Sequence, residues 1–274
     1  MKDLTFLLPC RIESEDRLKN VITSTTYLLK NFPDAKVIVK EVDVRSHFKF
    51  RALPVIQKYV GTQKLRHIFE ESEERFFHKT RILNDLLVAA DTDIVYNHDV
   101  DVVLPKKSYE IAYDAIKNQG VDCMYPFGAG VYQWAVNYSE PVFNQFLDSN
   151  FDFDVLTDSK FRVASSIGWG QMLKREVEIK AGLWNENFIS WGAEDCEFYF
   201  RLCSLGFKVG RVVADIYHFE HGRTFNSHYH NPKFMDNHNL WQSIRTWDST
   251  KLKNYYRSQD YIRQRGDQLN VSVQ

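Results

Sequence analysis

Three short stretches of this chain carry carboxylates and imidazoles at spacings suited to chemistry. The first is Asp93 to Pro105, DIVYNHDVDVVLP. It opens with Ile94-Val95-Tyr96, the β-branched and aromatic bias of a buried strand. It turns polar at Asn97-His98, presents Asp99-Val100-Asp101 and returns to Val102-Val103-Leu104 before Pro105. Carboxylates at i and i+2 lie on one face of an extended chain and repel each other, unless a cation sits between or beside them. Hard divalent ions such as Mg²⁺ or Mn²⁺ suit carboxylate oxygens and bind one or two of them together with substrate phosphates. A strand-end Asp-x-Asp is therefore a candidate metal and diphosphate site; by itself it is also what a solvated turn after a strand looks like.

The second stretch is Phe188 to Arg201, FISWGAEDCEFYFR. Trp191-Gly192-Ala193 predicts a turn, with Glu194 and Asp195 opening a helix that runs to about Leu205. The helix dipole favours acidic residues in a first turn, so a well-capped helix explains them. An aromatic face beside two carboxylates would also hold a sugar and accept a proton from its hydroxyl. The third stretch is Asp215 to His230, DIYHFEHGRTFNSHYH. Neutral imidazole is a common metal ligand, and His218 follows a strand predicted over Lys208 to Tyr217. Joined to the Asp-x-Asp it would complete a carboxylate and imidazole set better suited to Mn²⁺ than to Mg²⁺. His228, His230 and His238 read as a His-rich surface. A zinc site is the competing reading, but His218 and His221 lack the spacing and glutamate of a His-Glu-x-x-His helix.

The elements that must position these groups alternate. Leu4 to Leu8 predicts a buried strand ended by Pro9, and Glu13 to Lys30 a helix with Leu18, Val21, Ile22, Leu28 and Leu29 at helical spacing. Strands are expected at Ala35 to Val44 and Leu65 to Phe69, and helices at Phe50 to Tyr59 and Phe76 to Ala90. Strands alternating with helices over the first ~100 residues imply an α/β fold with a mostly parallel sheet flanked by helices. Ligands bind such sheets beyond the carboxyl ends of the strands, where Pro9-Cys10-Arg11 and Asp99-Val100-Asp101 would meet. The second half is less regular. Helices are expected at Ser108 to Asn118 and Val142 to Leu147, and a strand at Val121 to Tyr125. Val163 to Leu173 mixes small residues with Trp169 between two glycines, which allow a close backbone approach or merely a turn. No repeat or linker divides the chain, which reads as one domain over 1–274: a nucleotide-binding half at 1–105, an acceptor and catalytic half at 106–230 and a helical tail at 231–274.

Composition narrows the function classes. At 44% hydrophobic, the 274 residues can build a substantial core. Lys+Arg 35 against Asp+Glu 36 gives a net charge of -1, without the basic excess of a nucleic-acid binder. The four cysteines show no metal-type pairing; Cys196 and Cys203, seven apart, read as small core residues, and reduced thiols fit a cytoplasmic protein. No stretch approaches ~18 apolar residues, so no membrane span is expected.

Five motifs in order, over most of residues 4–221, resemble the inverting GT-A glycosyltransferases, closest to the beta-1,4-galactosyltransferase family. HDVDVVLP resembles that family's Asp-Val-Asp strand end. LLPCRIESEDRL resembles its first strand and the Pro-x-Arg turn that contacts uridine nucleotide, which places Pro9 and Arg11 there. FHKTRILN resembles its Phe-Asn-Arg-Ala-Lys-Leu-Leu-Asn helix, which puts Phe77 and Lys79 at nucleotide-contact positions, with Lys79 in place of an Arg. SWGAEDCE resembles Trp-Gly-Gly-Glu-Asp-Asp-Asp, which implies Trp191 and Glu194 on donor or acceptor sugar and Asp195 as catalytic base; Ala193 and Cys196 depart from the pattern. DIYH resembles the metal-ligand segment Met-Ile-Arg-His, which implies His218 on the metal and Asp215 where the family has Met. FEHGR is also similar to GT-A enzymes of bacterial polysaccharide synthesis, in which His221 would be the ligand.

The resemblance implies transfer of a hexose, galactose or N-acetylgalactosamine favoured, from a UDP-sugar to a glycan or glycolipid acceptor. Asp99 and Asp101 would face the donor, Asp101 and His218 (or His221) would hold Mn²⁺ or Mg²⁺, and the enzyme would work in the cytoplasm or at the inner face of the membrane. Two other classes fit parts of the pattern. One is a GT-A-like module that binds nucleotide or glycan without turnover, against which the full set of acids and His218 stands. The other is a sugar-phosphate nucleotidyltransferase, which would want a Gly-rich phosphate loop where Pro9-Cys10-Arg11-Ile12 has no glycine.

Overall fold

The computed structural model describes residues 1–163, 166–228 and 230–269. The chain runs β1 (Leu4–Cys10), α1 (Glu15–Asn31), β2 (Lys36–Asp43), α2 (Leu53–Tyr59), β3 (Leu65–Glu71), α3 (Lys79–Ala89), β4 (Ile94–His98) and β5 (Val102–Val103). It continues α4 (Lys106–Asn118), β6 (Cys123–Tyr125), β7 (Gln133–Val136), α5 (Glu140–Asp148), β8 (Lys160–Arg162), β9 (Gly170–Lys174) and α6 (Arg175–Lys180). The last elements are α7 (Glu194–Ser204), β10 (Val209–Arg211), β11 (Ile216–Phe219), α8 (Phe234–Ile244), α9 (Ser249–Arg257) and α10 (Asp260–Leu269).

The main sheet has the order β10-β6-β9-β4-β1-β2-β3. The four strands β3, β2, β1 and β4 are parallel, as the βα alternation requires, and the Leu4–Leu8 run, apolar except for Thr5 bonded to Thr92, is buried on both faces. β9 is inserted antiparallel between β4 and β6. It arises from Val163 to Leu173, a segment whose glycines and small residues give no strand signal. Pro9 does not end β1, which continues to Cys10 paired with β2. The ladder to β4 stops at Leu7, so from there β1 is an edge on that side and a missing N–H is tolerated.

A second sheet, β5-β11-β7-β8, packs beside the first. The single strand expected over Lys208 to Tyr217 is two strands, one in each sheet: β10 extends the main sheet beside β6, and β11 crosses to pair antiparallel with β5 and parallel with β7. His218 therefore sits inside a strand, opposite Val102, and does not follow one. Helix α1 joins the two sheets. Ser14 caps it by accepting from Arg17 N at 3.2 Å, and its buried face combines Leu18, Val21, Leu28 and Leu29 with the small polar run Asn20 and Thr23 to Thr26. Cys196 and Cys203 lie on the exposed side of α7, not in the core, because Phe198 and Leu202 occupy its buried stripe. No helix among the described residues is long and apolar enough to cross a membrane.

Candidate active site

The carboxyl ends of β1 and β4, the start of α7 and the end of β11 open into one cleft of about 560 Å³. Pro9, Phe77, Lys79, Asp99, Asp101, Trp191, Glu194, Asp195, His218 and His221 all line it. Among the expected site residues only Arg11 is not part of the lining. It lies one layer behind, its guanidinium 5.7 Å from the centre of the Phe77 ring, donating to the carbonyls of Val42 at 2.9 Å and Arg75 at 3.3 Å.

The two aspartates of the β4 strand end take different partners. Asp99 accepts from Lys79 Nζ at 2.9 Å. Asp101 turns towards the imidazoles, with His221 Nε2 at 3.1 Å and His218 Nε2 at 3.7 Å from its Oδ2. Backbone pairing produces this meeting: β5, directly after Asp101, is zipped antiparallel to β11, and Phe219 N donates to the Asp101 carbonyl at 2.7 Å. Beneath it, the buried His98 uses Nδ1 on the Asp99 carbonyl at 2.7 Å and Nε2 on the Tyr109 hydroxyl at 2.9 Å. Burial pushes its imidazole down to about 4, so His98 is a neutral strut for the strand end.

Asp101, His218 and His221 offer ligand atoms all within 4.8 Å of one another. Burial alone would raise the Asp101 carboxyl, but the His218 and His221 imidazoles hold it well below the usual carboxylate range. Burial would lower His218, yet Asp101 and Glu220 lift it to about 9. Asp101 Oδ1 is buried and has no hydrogen-bond partner among the described residues. An orphaned carboxylate oxygen beside two imidazoles is a donor set that fits a divalent transition ion. Both histidines gather here, although the sequence offered them as alternatives, while Asp215 is outside the cluster. Around the ligands, Glu220 accepts from His218 Nδ1 at 3.0 Å and the Trp169 ring stacks parallel to His218 at 5.5 Å. A carboxylate on the second ring nitrogen fixes the imidazole's orientation for a ligand at the first.

Across the cleft, residues 190–193 form a left-handed turn, with φ of 62° at Ser190, 129° at Gly192 and 67° at Ala193. It places Trp191 at the rim, stacked on Phe234 of α8 at 5.5 Å, and starts α7 with both acids facing inward. Glu194 folds back to accept from Gly192 N at 3.0 Å while lining the cleft; this bond ties the turn to the helix start but does not cap α7, whose N-cap is Ala193. Asp195 is held 3.7 Å from Lys79 Nζ. Its carboxyl is raised well above the usual range by burial, and by the Glu194 and Asp99 charges, against the pull of Lys79. Lys79 stays charged, because Asp195 and Asp99 outweigh its burial. Gly168 makes room for this group: a Cβ there would lie 2.1 Å from Asp195 Oδ2.

Sequence reasoning passed over Trp169, Glu220, Asn226 and Arg17. The glycines around Trp169 were a visible signal. Asn226 was not, since its role exists only in three dimensions. It accepts from Phe77 N at 2.9 Å and Ser190 Oγ at 3.0 Å, and donates to Glu13 Oε1 at 3.0 Å and the Arg75 carbonyl at 3.1 Å, tying both sides of the cleft together.

Comparison with known proteins follows the same lines. No protein of curated function matches the sequence. Residues 157–223, from β8 through both histidines, match the family model described as the N-terminal domain of galactosyltransferase. Among solved structures, the mannosyltransferase PcManGT of Pyrobaculum calidifontis, in complex with GDP-Man and Mn²⁺, superposes with a TM-score of 0.55 and 14% identity, over 93% of this chain and 70% of that one. S. aureus TarS gives a TM-score of 0.51 and 13% identity, over 80% of this chain and 37% of the other. The catalytic domain of Drosophila beta1,4-galactosyltransferase 7, complexed with xylobiose, gives 0.47 and 15% identity, over 94% and 80%. The chain has the GT-A glycosyltransferase fold, and residues 157–223, which carry Glu194, Asp195, His218 and His221 but not Asp99 and Asp101, match the galactosyltransferase family model.

Proposed function

We propose that this protein is a metal-dependent inverting glycosyltransferase that moves a hexose from a UDP-sugar to a glycan or glycolipid hydroxyl, with galactose or N-acetylgalactosamine the favoured sugars. The observation that carries this reading is the position of the Asp101–His218–His221 cluster and Asp195 in one cleft. A divalent cation such as Mn²⁺ or Mg²⁺ on that cluster would neutralise charge on the leaving diphosphate. The nucleotide would lie over residues 1–105, beside Pro9 and Phe77, with Arg11 supporting Phe77 from behind. Trp191 and Glu194 would seat a sugar from the α7 side. Asp195 takes the proton of the acceptor hydroxyl while its oxygen bonds to the anomeric carbon. The bond from that carbon to the diphosphate oxygen breaks on the opposite face, so the configuration inverts. A carboxyl raised by burial and neighbouring acids is suited to accept that proton. Lys79, between Asp99 and Asp195, offsets part of the repulsion among the acids of this wall. The acceptor would be met in the cytoplasm or at the inner membrane face.

The test is transfer or slow hydrolysis of UDP-sugars with manganese. Wild type should turn over and stop with a chelator. Asp101→Asn should be inactive at an unchanged melting temperature. Full activity of Asp101→Asn in chelator, or no turnover of any UDP-sugar by wild type, would sink the reading.

A further inference from the structure

Three cationic side chains line the cleft besides the histidines: Lys79, Arg223 and Arg17. Lys79 is committed to Asp99 and Asp195. Arg223 is exposed; among the described residues its hydrogen bond goes to the Ser227 carbonyl, at 3.4 Å, and its charge acts on Glu220. Arg17 differs from both. Its side chain is mostly buried, and its Nε is buried without a hydrogen-bond partner among the described residues. The nearest carboxylate oxygen, Glu13 Oε2, stands 3.7 Å away and is already bonded to Thr224 Oγ1 at 2.8 Å.

The register of α1 aims Arg17 at the metal cluster. Residues 17, 20 and 24 share one helix face. Ser24 Oγ donates to the carbonyl of Val100, between the two aspartates, at 2.9 Å. Asn20 Nδ2 donates to the carbonyl of Phe219, the residue after His218, at 3.0 Å. Arg17 lies three residues further towards the helix start, about 4.5 Å along the axis. The face that clamps the backbone of both ligand strands thus ends in a guanidinium at the cleft. A guanidinium with unmet donors matches phosphate oxygens in a forked, charge-assisted geometry that lysine does not reproduce.

We propose that Arg17 is a donor-binding residue, whose guanidinium engages the diphosphate of the nucleoside-diphosphate sugar beside the Asp101–His218–His221 cluster. The inference rests on the glycosyltransferase reading and assigns the diphosphate contact to α1 instead of Lys79.

Calorimetry tests it, with UDP in the presence of Mn²⁺, GDP if UDP does not bind, and the matching monophosphate as comparator. Arg17→Ala should weaken diphosphate binding by about tenfold or more, the effect of losing a charge-assisted contact. Monophosphate affinity should change by less than about threefold, within the weaker range of such contacts. Arg17→Gln keeps the polar stem and should show the same split, which covers the case in which the alanine variant does not fold. Wild-type diphosphate affinity in either folded variant, or equal loss for di- and monophosphate, would overturn the assignment of Arg17 alone. Failure of wild type to bind UDP or GDP would overturn the proposed function along with it.

Discussion

At the scale of single residues, burial raises two carboxyls, Asp195 and Glu178, in different company. Asp195 is raised by burial and by Glu194 and Asp99, yet Lys79 stays close enough to limit the cost. As the proposed base it should be replaceable only with a large loss of rate. Asp195→Asn should lower kcat by ~10²–10⁴-fold, while calorimetry with UDP shows little change. Glu194→Gln should act mainly on acceptor KM, since Glu194 holds the turn through Gly192 N. Glu178 has no comparable cation at contact distance. It is fully buried in α6, accepts from Asn97 Nδ2 at 2.8 Å, and burial raises its carboxyl to about 7. The unfolded chain ionises near pH 4.3, so it gains stability over the fold as pH rises from there to about 7. Below that window Glu178 is neutral in both states and carries no penalty; above it the penalty is complete, about 4 kcal/mol. Glu178→Gln should therefore unfold at higher urea than wild type at pH 8 and at similar urea at pH 4. A variant whose advantage did not grow with pH would show that Glu178 is ionised in the fold.

At the scale of elements, what the sequence disclosed depended on how local the determinant was. β4 and its aspartates, and α7 with its acidic start, were legible because apolar periodicity and acidic first-turn residues are properties of contiguous residues. β9 was not, because Gly170, at φ 141° against the Asn97 carbonyl, is chosen for close approach and not for strand propensity. The split of Lys208 to Tyr217 into β10 and β11 was hidden for a similar reason: partner strands, not the segment itself, decide where it breaks. The 190–193 turn carries backbone strain. Ala193 sits at φ 67°, where a Cβ costs about 1 kcal/mol, and Asn237 braces the turn through Ile189 N at 3.2 Å and the Trp191 carbonyl at 3.2 Å. Ala193→Gly should raise stability by about 0.5–1 kcal/mol, read by thermal unfolding, and leave UDP affinity unchanged. A lower melting temperature would mean that the alanine methyl contributes packing that outweighs the backbone strain.

At the scale of the whole molecule, the site depends on a C-terminal brace that no motif announced. Arg201 of α7 is fully buried. Its Nε donates to Glu197 at 2.9 Å, and its Nη1 to the carbonyls of Ala181 and Leu183 at 2.6 and 2.7 Å. Tyr256 of α9 donates to the same Glu197, and its ring lies 3.9 Å from the Arg201 guanidinium. One ion pair thus fixes α7, and with it Asp195, against the turn after α6 and against α9. The stretch 188–201 gives no sign of the brace, because the burial of Glu197 and Arg201 is completed by Tyr256, 59 residues after Glu197. The attraction between two desolvated charges is offset by the cost of stripping their water, so the pair and its parts should behave differently. Arg201→Met leaves Glu197 buried and unpaired, and should cost about 3–5 kcal/mol in urea unfolding. Glu197→Leu strands the guanidinium and should cost a similar amount. The double variant removes both charges and leaves only the Ala181 and Leu183 carbonyls and the Tyr256 hydroxyl to find new partners, at about 1–3 kcal/mol for an unmet group. It should therefore be more stable than either single variant, with a coupling energy of at least about 2 kcal/mol from the cycle. Additive losses would mean that Arg201 acts through the two carbonyls rather than through Glu197. The brace would then be a hydrogen-bonded turn that happens to carry a charge.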